Sequence, residues 1–134
     1  MRAITIILSL MIACSASNNC KINFTIYKWN VITKSRVDKT QIKSSAPEFK
    51  NVKLNQDSIL QKLSSLKSTT DTLYNIRLYC ILNCNGNKEL YIDKTGIIEY
   101  DGKCYKRNDN FIEYILSNIH FDNREDYYPL WLNK

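Results

Sequence analysis

The stretch from Thr72 to Lys106 constrains the fold most, because it breaks into four short runs separated only by turn residues. In Thr72–Leu82, Tyr74, Ile76, Leu78, Cys80 and Leu82 share one side of a two-residue period. Asn75, Arg77, Tyr79 and Ile81 share the other, which is the alternation of a strand. Asn85-Gly86-Asn87 is a turn signal, and Glu89–Ile92 reads as the next strand. Asp93-Lys94-Thr95-Gly96 is a second turn, followed by Ile97–Tyr100. Asp101-Gly102 is the strongest hairpin signal in the chain, since both residues tolerate the positive φ of a type I′ turn. With these two as the loop, Tyr100 faces Lys103 and Glu99 faces Cys104 on the returning run Lys103–Lys106.

Two helices flank this meander. Asn55–Lys67 carries Ile59, Leu60, Leu63 and Leu66 at helical spacing, with Asn55 as N-cap and Leu54 and Ile59 placed as a hydrophobic staple. Asn110–Ile119 carries Phe111, Ile112, Ile115, Leu116 and Ile119, with Asn108 or Asp109 as cap. Upstream, Lys21–Thr33 reads as a strand. Ile22, Phe24 and Ile26 alternate on one parity, then Tyr27, Trp29 and Val31 on the other, which predicts a bulge or burial on both sides. Lys34–Lys53 is polar and reads as a long loop, anchored by Phe49, Val52 and Leu54, with room for a short strand near Arg36–Ile42. The expected fold is α+β: an antiparallel meander sheet of four to five strands with two helices packed on one side.

The N-terminus carries different information. Arg2 is the only charge before Lys21, and Ala3–Ile12 is apolar apart from Thr5 and Ser9. Small residues follow, from Ala13 to Ser17, which completes the pattern of a secretory signal. The run falls short of the roughly 20 apolar residues of a membrane-spanning helix. Met11-Ile12-Ala13-Cys14 resembles the lipobox of bacterial lipoproteins in Ala13 and Cys14, while Met11 stands where that family prefers Leu. The resemblance covers this segment alone. It implies cleavage before Cys14, diacylation of that cysteine and anchoring to a membrane. Ordinary cleavage after Ala16 or Ser17 is the alternative. The expected organisation is a signal peptide at 1–13, a tether at 14–20 and a single domain at 21–134.

Export frames the other residue types. Without Cys14 the chain keeps Cys20, Cys80, Cys84 and Cys104, an even set able to form up to two disulfides in any of three connectivities. Cys80-x-x-x-Cys84 is not a zinc spacing, and His120 is the only histidine, so neither a metal nor a cofactor is expected. The net charge of +6 is spread out, densest over Lys28–Lys53, and reads as a solvated surface. An exported chain of this kind is not expected to bind nucleic acid. Asn23-Phe24-Thr25 matches the glycosylation acceptor by chance inside a strand.

No nucleophile, P-loop or metalloprotease motif is present. Glu99 with Asp93 or Asp101 could form a carboxylate pair for glycan chemistry, although the two aspartates sit where turns use them locally. Nine Tyr and two Trp exceed the needs of a small core. Tyr79, Tyr91, Tyr105, Tyr127, Tyr128 and Trp131 are candidate contacts for another protein, unless the tail folds back to complete the core. The expected function is a non-catalytic envelope binding protein, inhibitor- or immunity-like. The alternatives are a structural envelope accessory or a cell-wall-acting enzyme.

Overall fold

The computed structural model describes residues 19–133, so the signal segment and Cys14 lie outside the described residues. The fold is α+β. In chain order it runs β1 (Asn19–Ile26), α1 (Lys39–Ser45), β2 (Glu48–Asn55), α2 (Gln56–Ser64) and β3 (Ile76–Leu82). Then come β4 (Lys88–Asp93), β5 (Ile98–Tyr100), β6 (Lys103–Tyr105), α3 (Asp109–Ser117), a short α4 (Arg124–Tyr127) and a 3-10 turn (Leu130–Asn133). All six strands form one antiparallel sheet in the order β2-β1-β3-β4-β5-β6. The β5–β6 hairpin has the expected register, Tyr100 against Lys103 and Glu99 against Cys104, with φ of 53° at Asp101 and 79° at Gly102.

The helices start where side-chain caps permit. Asn55 Oδ1 accepts from Ser58 N at 2.9 Å, and Asn108 Oδ1 accepts from Phe111 N at 3.0 Å. Each bond satisfies one of the orphan N–H groups of a first helical turn. Ile59 of α2 and Phe111, Ile112, Ile115 and Leu116 of α3 are fully buried against one face of the sheet. That face presents Ile22, Phe24, Ile26, Leu54, Leu78, Cys80, Leu90, Ile92 and Ile98. Each such aliphatic or aromatic side chain contributes roughly 1.5–3 kcal/mol on burial.

The segment 34–53 differs from the expected loop: it holds both α1 and β2. Asp38 and Gln41 form a capping box, with Gln41 N donating to Asp38 Oδ1 at 2.8 Å and Asp38 N to Gln41 Oε1 at 3.1 Å. β2 escapes a reading by alternation because it contains an extra residue. Val52 pairs with Ile22 and Phe49 with Phe24, so Lys50 and Asn51 of β2 stand against the single Asn23 of β1, and Asn51 takes a φ of 57°.

Two further expectations change. The first strand stops at Ile26, and Trp29 turns into the main core at 1 % exposure instead of continuing a second strand face. The number of helices changes too: α2 and α3 share one side as expected, and α1 is added to them. α1 lies on the opposite face, where Val37, Ile42, Ile76 and Tyr91 form a separate small core. Ile76 reaches that face through a register shift between Ile76 and Leu78, which breaks the run of one-sided residues read from Tyr74 to Leu82.

The two sheet edges are protected in different ways: the β6 edge is paired and the β2 edge is blunted. Beside β6, Lys106 N donates to Lys67 O at 2.7 Å and Thr69 N to Cys104 O at 3.1 Å. β2 carries the extra residue together with Lys50 and Lys53, all features that blunt an edge against pairing.

Candidate functional site

The α1 face of the sheet gathers the polar chemistry of the molecule. Lys39 and Lys43 stand one helical turn apart and so point the same way. Lys39 Nζ meets Glu99 Oε1 at 2.6 Å, and Lys43 Nζ meets Glu89 Oε2 at 3.0 Å. Tyr79 and Tyr91 are directly opposite on β3 and β4, with ring centroids 4.9 Å apart. Their hydroxyls donate to the same Glu89 oxygen at 3.2 and 3.0 Å. Lys39 lies 4.7 Å from the Tyr91 ring centroid and Lys43 5.2 Å from that of Tyr79. Lys43, then the Tyr91 hydroxyl, hold the Glu89 carboxyl below its ordinary range. Burial pushes both tyrosine hydroxyls up.

Beside this cluster, α1 leaves part of the sheet bare. A groove of about 400 Å³ runs there, lined by Lys21, Ile22, Asn23, Thr25, Lys43, Glu48, Tyr79, Ile81, Asn83 and Asn87. Ile81 on its floor is 46 % exposed. The groove is open and polar, suited to contact with an extended partner more than to enclosing a small molecule.

The expected aromatic contacts divide. Tyr79 borders the groove, while Tyr91 is 2 % exposed and works from beneath it. Tyr105 packs against the main core near the β6 edge. The tail folds back: Tyr127 stacks on Phe121 at 4.5 Å, Tyr128 is 5 % exposed, and Trp131 meets Trp29 edge to face at 6.3 Å. These three rings finish the core together with Phe49, which is 5.1 Å from Phe121.

The carboxylates offered for glycan chemistry have local tasks. Asp93 is 1 % exposed and accepts from Tyr74 N, Thr95 N, Thr95 Oγ1 and Ile97 N, so it organises its turn. Glu99 is held by Lys39, and Asp101 sits at the exposed hairpin tip. His120 is exposed beyond the end of α3. Among the described residues no cluster of metal-ligating side chains occurs, and no helix is long and apolar enough to cross a membrane.

The four cysteines form one bond, not two. Cys20 and Cys84 are joined, tying β1 to the β3–β4 turn across a Cα separation of 5.5 Å. Cys80 and Cys104 are free. The pleat explains why: Cys80 faces the main core, whereas Cys104 sits opposite Glu99 on the α1 face at the far edge of the sheet. Burial pushes the Cys80 thiol well up and the Cys104 thiol up.

Lys39 and Lys43, which carry much of the site, belong to the basic stretch Lys28–Lys53 that reads as solvated surface, and that reading does not pair them. The capping box Asp38-x-x-Gln41 was the signal that could have found their helix. The chain matches no protein-family model, no curated protein and no solved structure.

Proposed function

We propose that this chain is a small exported binding protein of the cell envelope, inhibitor- or immunity-like, anchored through lipid at Cys14 and acting by contact with another protein. The observation that carries this reading is the bare strip beside α1, in a molecule whose β6 edge is paired and whose main sheet face is covered by α2, α3 and the tail. A rigid, partly bare sheet face with a Tyr and an exposed Ile fits protein contact. The Cys20–Cys84 disulfide supports export, because such bonds persist in oxidising compartments. The local engagement of Asp93 and Glu99 removes the main support for a glycan-acting enzyme.

Intact-mass measurement of the purified mature protein tests export. The expected product begins at Cys14 with two acyl chains and one disulfide, or at Ser17 or Asn18 without lipid. A chain that keeps Met1 and has every thiol reduced overturns the reading. Cross-linking in envelope extract tests binding, and repeated recovery of the uncoupled protein alone counts against a protein partner.

A further inference from the structure

The bare strip carries an electrostatic imbalance that specifies a partner. Lys21 and Lys53 are direct cross-strand partners in the β1–β2 register. Like charges placed directly opposite on neighbouring strands repel. Neither forms an ion pair among the described residues. The carboxylates nearby are already engaged: Glu48 with Lys50 at 3.5 Å, and Glu89 with Lys43 and two tyrosine hydroxyls. Lys21, which lines the groove, and Lys53, its cross-strand neighbour beyond the lining, are therefore uncompensated.

A second, independent observation lies in the same groove. Thr25 lines it, and its hydroxyl, buried beneath the groove surface, has no hydrogen-bond partner among the described residues. A buried hydroxyl left this way costs about 1–3 kcal/mol, which rotation of the Thr25 side chain toward an acceptor in the groove would recover. Lys21, Asn23 and Thr25 project in a row from β1, at alternate positions of the strand. Their spacing of about 6.8 Å is that of alternate side chains in any extended peptide. Ile81 adds an apolar contact beside the row.

We propose that this groove receives an extended acidic segment of a partner protein, lying along β1. One carboxylate would sit between Lys21 and Lys53, and an acceptor further along would take the Thr25 hydroxyl proton in a hydrogen bond. The proposal rests on the binding reading above and adds to it the chemistry of the partner.

The test uses a fluorescein-labelled alternating glutamate–threonine peptide, with anisotropy read at low and high salt. Saturable binding that weakens with salt is expected. Paired Lys21→Glu and Lys53→Glu substitutions are expected to weaken it at least about tenfold. The same charge change at the remote exposed pair, Lys67→Glu with Lys106→Glu, is expected to change it less than about twofold. Thr25→Val, which removes an unsatisfied hydroxyl and leaves the fold intact by circular dichroism, is expected to weaken binding severalfold. Equal losses from both lysine pairs, or binding of polygalacturonate but not the peptide, overturn the proposal. A cross-linked partner captured equally by wild type and the Lys21/Lys53 variant overturns this inference alone; capture by neither overturns the binding reading itself.

Discussion

Trp29 and Trp131 donate their indole N–H groups to one carbonyl oxygen, that of Lys94, at 3.0 and 3.1 Å. The two rings arrive from opposite ends of the described chain and meet edge to face over the β4–β5 turn. Either tryptophan alone keeps that carbonyl satisfied. Trp29→Phe is expected to cost about 2 kcal/mol and Trp131→Phe about 1 kcal/mol, because the phenyl ring retains most of the packing. The double variant strands the carbonyl and is expected to exceed the sum by about 0.5–1 kcal/mol. Urea denaturation followed by far-ultraviolet circular dichroism measures all three, and strict additivity would show that the shared acceptor couples nothing.

Gly96 closes the same turn at φ 99°, and a Cβ there would stand 2.7 Å from Arg107 Cγ. Arg107 cannot easily retreat. It is paired with Asp109 at 2.7 Å and lies over the Trp131 ring at 4.2 Å. Gly96→Ala is therefore expected to destabilise by about 2–3 kcal/mol, combining backbone strain with the clash. Gly102→Ala has a similar φ but open space around it, and should cost about 1 kcal/mol. Adding Arg107→Ala to Gly96→Ala should restore part of the loss. Thermal melts that rank Gly102→Ala as the costlier change would contradict this.

The meander and the two capped helices were legible because each rests on local chemistry. Asp101-Gly102 dictates a hairpin, and Asn55 and Asn108 cap helices whose apolar stripes repeat at helical spacing. The α1–β2 unit was not, for two reasons. α1 buries a single side chain, Ile42, so it has no stripe to read. β2 has its alternation displaced by the extra residue at Asn51. The site suffered from the second limitation of sequence: distance. Tyr79 and Tyr91 stood out as residue types, but nothing local brings Lys43 onto Glu89 from 46 positions away (89 − 43). Tyr127, Tyr128 and Trp131 also stand out, and only packing shows Tyr128 buried in the core with Tyr127 and Trp131 half-buried against it.

The Cys20–Cys84 bond closes a loop with a sequence separation of 64. A cross-link of that span restricts the unfolded chain enough to contribute about 4 kcal/mol in the chain-entropy account. Cys20→Ser with Cys84→Ser should lower the urea midpoint and steepen the slope, because the unfolded chain without the cross-link exposes more surface. Thiol titration of the domain from residue 19 should find Cys104 reactive in the native state and Cys80 only after unfolding, since Cys80 is fully buried. A native Cys80 that reacts as fast as Cys104 would contradict the core placement.

Alkaline pH should weaken the α1 face in a defined direction. Burial raises the Tyr79 and Tyr91 hydroxyls above their ordinary value of 10.0. A group that loses its proton less readily when folded stabilises the fold below its unfolded pKa. That contribution disappears as pH climbs through the folded value. Above about pH 10 the unfolded chain binds fewer protons than the folded one, so stability must fall with rising pH. Lys43, also raised, acts in the same sense, though its exposure limits it to a small share. Tyr91→Phe removes one of these groups and should flatten the alkaline slope, at some expense of stability near neutrality from the lost bond to Glu89. Urea midpoints from pH 8 to 11, paired with tyrosinate absorbance, measure the slope, and an identical slope in wild type and variant would exclude Tyr91 as its source.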